Sequence, residues 1–453
     1  MENSTYRTII DNIEKNRQRI LDAERHIWAN PEIGYKEWKT TEYMAGIFTG
    51  LGYTVTRPEN ITGFIADLDT GRPGPKVAIV AELDSLICAE HPECDPVTHA
   101  VHACGHHAQS AYLVGCAAAF AEPGALKDLC GSIRFISVPA EETIDLEFRN
   151  KLIEDGVIHY PAGKVEFLYR GLFDGVDIAM MNHVTPDDGN YLFDLHGGSD
   201  GCIVKHFEFK GRAAHAGVSP EDGINALYAA TLGINACNAL REKFTEKDFI
   251  RFHPIITEAG YAANAIPEVA KLDAYARAST FGKMKQVNEE INRALCASAA
   301  SIGADLLIKD NPGNMPLHND KNLTDLCESV ISDLFGKEAI RYTNWMTGST
   351  DMGDISALMP VVHPHTMGAT GLPHGKDYQI VDPEKASVNA AKMLAAVAYR
   401  LLENDAALAK KTIREYQPVF ANREEYFKAI NAIRMNRTTV SYNDDGSVTL
   451  RYR

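Results

Sequence analysis

At 453 residues the chain is long enough for two to four domains of roughly 100–200 residues each, and 45% hydrophobic with 23% charged residues exclude a disordered, collagenous or low-complexity polymer. A formal net charge of -16, from 61 acidic against 45 basic residues, argues against non-specific binding to nucleic acid or to an anionic membrane. A charged N-terminus without an apolar leader, no later stretch of about 18 apolar residues and an odd, scattered set of nine cysteines predict a cytoplasmic protein without a disulfide framework.

Residues 4–30 place Ile9, Ile10, Ile13, Ile20, Leu21, Ile27 and Trp28 at mostly helical spacing, stopped by Asn30-Pro31. A short helix is expected over 41–51, then strands over 61–68 and 76–83, then a turn-rich stretch bearing His and Cys up to Gly105. Residues 106–120 read as a buried helix of small residues, and 132–138 and 177–182 as strands. This alternation predicts an α/β layer with a largely parallel sheet.

Near residue 200 the texture changes. Gly197, Gly198 and Gly201 precede a strand, helix, strand, strand, helix, strand order at about 202–210, 222–240, 250–260, 268–278, 282–300 and 304–309. That is enough for an inserted α+β domain, ended by Asn311-Pro312-Gly313. Helices over 322–335 and 382–404, the latter with Asp382 as N-cap and Pro383 at its first position, return the chain to the α/β domain. The tail holds a hairpin candidate, 438–442 and 447–452, around Asn443-Asp444-Asp445-Gly446. The expected division is 1–198 and 314–453, with the tail, for the catalytic domain, and 199–313 for the insertion.

Three segments carry chemistry. Val101-His-Ala-Cys-Gly-His-His-Ala108 sets Cys104 and His106 just before a helix, a thiol and an imidazole suited to a borderline metal; alone, it fits a buried thiol beside a helix cap equally well. Val138-Pro-Ala-Glu-Glu-Thr143 puts two carboxylates after a strand, where the α/β ligand crevice opens; alone, it is an acidic turn. Met180-Met-Asn-His183 ends a third strand with an imidazole. Together, Cys, His, Glu and His delivered by strand ends and loops are better explained by one metal site than by three independent accidents.

These segments, and most of the chain with them, resemble the aminoacylase and glutamate-carboxypeptidase family of co-catalytic metallopeptidases, especially its amidohydrolase subfamily of hippurate hydrolase and aminobenzoyl-glutamate hydrolase types. The resemblance runs through His26-x4-Pro31-Glu32-x-Gly34-x2-Glu37-x2-Thr40, Ala81-Glu-Leu-Asp-Ser-Leu86, His102-Ala-Cys-Gly-His106 and Pro139-Ala-Glu-Glu142. It continues in Gly211-Arg-Ala-Ala-His215 with Pro220 and Gly223, Asn264-Ala-Ile-Pro267 with Arg277, and Gly348-Ser-Thr-Asp351 with Gly353.

The resemblance implies a phosphorylase/hydrolase-like zinc-peptidase catalytic domain with an inserted ferredoxin-like lid and dimerisation domain, and a homodimer through that domain. It implies the metal ligands Cys104, His106, Glu142, His183 and His374, the last from Gly371-Leu-Pro-His-Gly-Lys-Asp-Tyr378, with His363 and His365 left as structural or supporting. Five protein ligands with one bridging, plus a bridging water, fill two roughly four-coordinate ions, zinc or manganese. Glu141 is implied as the proton carrier, His215 as an oxyanion donor that often reaches a neighbouring subunit, Asn264 with Arg277 as a clamp for a substrate carboxylate, and Asp84 as support. Asp351 fits either the site or a loop cap. His107 and Thr143 depart from the subfamily's usual Asp and Gly and put metal affinity in question. The implied activity is hydrolysis of the amide of small N-acyl or N-aroyl amino acids; the alternatives are a dipeptidase or carboxypeptidase, and a metal-poor binding protein without turnover.

Overall fold

The computed structural model describes residues 4–453; the expected first segment thus begins with residues 1–3 outside the described residues. The apolar stripe of residues 4–30 forms two helices, Ser4–Lys15 and Arg17–Trp28. They part at Asn16, whose side-chain amide donates to the Asn12 carbonyl at 2.9 Å and so competes with the helix ladder. Ile9, Ile13, Ile20, Ala23 and Ile27 nevertheless enter one core.

The chain divides into two units: one of the chain up to Gly198 with His318–Trp345 and Asp354–Val419, the other of Ser199–Leu317, Met346–Gly353 and Phe420–Arg453. The first unit is built on a six-stranded sheet in the order Val55–Thr56, Phe64–Asp69, Ser132–Val138, Lys76–Glu82, Ile178–Met180, Val361–Val362. Its last four strands run parallel, and Phe64–Asp69 joins them antiparallel. Lys76–Glu82 and Ser132–Val138 are buried almost throughout, as parallel strands covered on both faces must be. The helix His106–Ala121 is buried along nearly its whole length, because its alanines let neighbouring helices approach from several sides. The long C-terminal helical segment begins as expected at Asp382, whose Oδ1 accepts from the Lys385 N–H at 3.1 Å, and its helical geometry breaks over Glu403–Ala406.

A second sheet of this unit has no counterpart in the sequence reading. Ile340–Thr343, Phe193–His196, His365–Thr370 and Gln379–Ile380 lie in that order, and His183–Pro186 pairs with His365–Thr370. Its strands are short and meet across long sequence separations, so no local periodicity marks them.

The second unit follows the predicted element order. Arg251–Glu258, Val269–Ala278, Gly201–Lys210 and Asp305–Pro312 form an antiparallel sheet, accompanied by the helices Ala226–Ala239 and Phe281–Ile302. Asn225 and Thr280 cap these helices by accepting from the Tyr228 and Lys283 N–H groups. The strand order is that of a ferredoxin-like fold. The tail differs from its expected grouping with the catalytic domain: Met435–Thr438 adds a fifth strand beside Asp305–Pro312. There it covers an edge whose N–H and C=O groups would otherwise stay unpaired. The hairpin Val440–Tyr442 with Val448–Leu450 follows it.

Candidate metal centre

Four segments of the first unit deliver the candidate ligands. Gly105, with φ +94°, would bring a Cβ within 2.6 Å of the Tyr378 hydroxyl; only glycine lets the Cys104 loop pass there and start a helix at His106. After Ser132–Val138 the chain turns at Ala140, φ +57°, a conformation that residues with a Cβ adopt at a cost. The surroundings fix that turn from both sides. The Ala140 N–H donates to Glu37 Oε1 at 2.9 Å, and its carbonyl accepts from the Gly163 N–H at 3.1 Å and from Arg149 at 3.3 Å. Glu141 and Glu142 follow directly. His183 opens one strand of the second sheet, and His374 stands in a loop, its N–H donating to the Ala103 carbonyl at 2.8 Å.

These segments converge. Ligand atoms of Cys104, His106 and His183 lie within 4.8 Å of one another, as do those of Cys104, Glu142 and His374, and those of His106, Glu141 and Glu142. Cys104 Sγ is 3.5 Å from His183 Nε2, and Glu142 Oε1 is 3.0 Å from His374 Nε2. Cys104 belongs to two of the groups, the position of a bridging ligand. Thiolate, imidazole and carboxylate donors suit zinc or another borderline ion, so the residues present fit a two-ion site.

The imidazoles are aimed by their far nitrogens. His106 Nδ1 lies 3.0 Å from Asp84 Oδ1 and 2.9 Å from the Asp84 carbonyl; His183 Nδ1 lies 2.9 Å from the Val184 carbonyl. Each arrangement puts the proton on Nδ1 and leaves Nε2 to bind. Asp84 Oδ2 also accepts from the Glu142 N–H at 2.8 Å, so one carboxylate positions two ligands. The departure at His107 therefore leaves His106 with an anionic acceptor. His107 itself packs 4.9 Å from the Trp28 ring and sets Nε2 3.2 Å from Glu24 Oε1, while Thr143 is exposed.

Burial and, after it, the Glu142 carboxylate push the Cys104 thiol well above its ordinary pKa; a metal must displace this proton. Burial, then the charge of His106, lowers His183, and the hydrogen bond to Glu142 raises His374.

Sequence reasoning missed two residues. Glu82 is buried, its Oε2 3.1 Å from His106 Nε2 and 2.7 Å from Gln109 Nε2, and its Oε1 pairs with the buried Lys164. Burial alone would raise Glu82, but Lys164 and then His106 hold it ionised. Removing Lys164 would strand a buried carboxylate, at a cost of about 3–5 kcal/mol. Glu82 stands in the same strand end as Asp84 and could have been noticed there; Lys164, in the short helix Gly163–Tyr169, carries no signal. A further group, His196, His363 and His365, also has its ligand atoms within 4.8 Å of one another.

The other predicted site residues lie in the second unit. His215 is exposed, and its Nδ1 accepts from the Gly217 and Val218 N–H groups at 3.2 and 3.1 Å, which places its proton on Nε2. The Asn264 carbonyl accepts from the Ala216 N–H at 2.9 Å. Arg277 donates to Ser349 Oγ at 2.6 Å and lies 5.2 Å above the Tyr275 ring.

An α/β unit with such a ligand cluster, together with a ferredoxin-like unit, defines a metallohydrolase of amide or peptide bonds. Residues 196–301 match the peptidase dimerisation domain of the M20 group. The human Xaa-Arg dipeptidase is 26% identical over 439 residues, covering 92% of this chain and 93% of its own. One of the polypeptides of the Escherichia coli (strain K12) p-aminobenzoyl-glutamate hydrolase is 34% identical over 270 residues, 56% of this chain and 50% of its own. A Bacillus subtilis structure described as a dinuclear metal-binding peptidase of the M20 family superposes with a TM-score of 0.68 at 22% identity, over 86% of this chain and 99% of its own. The chain is a hydrolase of the M20 group, with that group's dimerisation domain.

Proposed function

We propose that the chain hydrolyses the amide bond of small N-acyl or N-aroyl amino acids carrying a free carboxylate. The observation that carries this reading is the Cys104 sulfur shared by two donor groups, with a Glu141 oxygen within 4.8 Å of the His106 and Glu142 ligand atoms. Cys104, His106, Glu142, His183 and His374 would hold two divalent ions, zinc or manganese. When bound, the ions acidify a water and polarise the amide carbonyl. Glu141 takes the proton of the attacking water and passes it to the leaving nitrogen. His215, already protonated at Nε2 by its own loop, donates to the developing oxyanion, and Arg277 with Asn264 grips the carboxylate. The dimerisation domain supports a homodimer, nine free cysteines support a reducing, cytoplasmic setting, and among the described residues no helix is long and apolar enough to cross a membrane.

The near-full-length likeness to a dipeptidase favours a second reading, cleavage of dipeptides. Elemental analysis of the purified protein, followed by side-by-side turnover of N-acyl amino acids and dipeptides with added manganese or zinc, tests both. Faster turnover of the acylated substrates is expected; a preference for dipeptides selects the second reading, and protein that binds no metal refutes both.

A further inference from the structure

The second sheet of the first unit does more than carry His183. In its antiparallel pairing His365 faces Asp194 and Thr366 faces Phe193, and continuing that register sets His363 opposite His196. Side chains two apart on a strand share a face, so Asp194, His196, His363 and His365 all belong to one face of neighbouring strands. The ring pairs His196–His365, His363–His365 and His196–His363 have centroids 5.0, 5.3 and 6.1 Å apart.

The group is built as a ligand site is built. His196 and His363 are each 3% exposed, yet His196 Nε2 and both ring nitrogens of His363 have no hydrogen-bond partner, an arrangement that buried polar groups avoid unless something else satisfies them. Asn319 fixes both segments: it donates to the His196 carbonyl and accepts from the His363 N–H, each at 2.8 Å. His196 Nδ1 faces the Gly198 carbonyl at 3.3 Å, which leaves the Nε2 lone pair for a ligand. Asp194 Oδ1 is also buried without a hydrogen-bond partner, while its Oδ2 is held by Arg341 and Thr343; it supplies a negative charge to balance a cation.

We propose that His196, His363 and His365 bind one divalent transition-metal cation of the zinc class, at a site separate from the Cys104 cluster. Ligand atoms within 4.8 Å of one another need only small side-chain rotations to reach the roughly 3.3 Å spacing of a tetrahedral site with metal–nitrogen bonds of about 2.0–2.1 Å. Three imidazoles without a carboxylate select zinc, cobalt or nickel over magnesium or calcium.

The test uses the full chain with Cys104→Ala and Glu142→Ala, which dismantles the other cluster whether or not that cluster binds metal. Dialysed against cobalt, this protein should hold one equivalent with visible d–d absorption and no sulfur-to-metal charge-transfer band. Adding His363→Gln, or separately the change His365→Gln at the half-buried position, should remove that equivalent while far-ultraviolet circular dichroism stays unchanged. A double variant that binds no cobalt overturns the site. So does an equivalent that persists in both histidine variants. In the otherwise wild-type chain, His363→Gln should cost one metal equivalent and spare any sulfur-to-cobalt band; loss of that band alone would mean that the three histidines merely position His183.

Discussion

The candidate ligands of the first unit and the candidate substrate residues of the second are fixed by different means. In the first, burial forces geometry: His106, His183 and Glu142 each have a second hydrogen bond behind them, from Asp84 or a backbone carbonyl, because buried polar groups left unpaired are costly. In the second, His215 and Asn264 are exposed and water could satisfy them in many orientations. Only local backbone bonds, such as those to His215 Nδ1, restrict them. The metal cluster should therefore be rigid before substrate arrives, and the substrate groups should depend on the loop that presents them.

Changes at the buried cluster should have the largest effects. Glu142→Ala or His106→Ala should abolish turnover together with bound metal, read by elemental analysis; full metal content in both would break the ligand assignment. Glu141→Gln should keep the metals and lower kcat by about 10²–10⁴, since an amide cannot accept the water's proton. Near-normal turnover would remove Glu141 from the chemistry. His215→Ala should lower kcat by about 10²–10³ with metal content intact. A lower melting temperature with kcat preserved would instead make His215 a turn-capping residue.

Much of this contrast was legible in the sequence, and the illegible parts share a cause. The strand Ser132–Val138 and the start of the helix His106–Ala121 match their expected positions, because apolar runs and breakers are local signals. Cys104, His106, Glu142, His183 and His374 do converge, as motif resemblance implied. The second sheet, the tail strand Met435–Thr438 and the Glu82–Lys164 pair stayed hidden, since each depends on partners far away in sequence. The departure at His107 looked serious only while Asp84 was not known to face His106.

Asp84→Asn sharpens the role of burial. The Asp84 oxygens accept separately from His106 Nδ1 and from the Glu142 N–H. An asparagine has one acceptor oxygen, so its NH2 group must face one of these donors. Metal affinity should fall about 10–100-fold, measured by competition with a chromophoric chelator. An unchanged affinity would show that the backbone carbonyl of residue 84 orients His106 unaided.

The smallest effect is expected at Arg277, where the two units' styles can be compared in one side chain. Its guanidinium is anchored to Ser349 Oγ at 2.6 Å and lies over Tyr275, which leaves further N–H groups for a carboxylate. Lysine keeps the charge but loses the planar fork. Arg277→Lys should therefore raise KM about tenfold, roughly 1.4 kcal/mol, with kcat little changed, the pattern of lost binding common to ground and transition states. Ser349→Ala separates this from a purely structural role. If Arg277 serves only to hold the segment Met346–Gly353, both variants should lower the melting temperature alike and leave KM unmoved; if it grips substrate, Arg277→Lys should move KM much further than Ser349→Ala does.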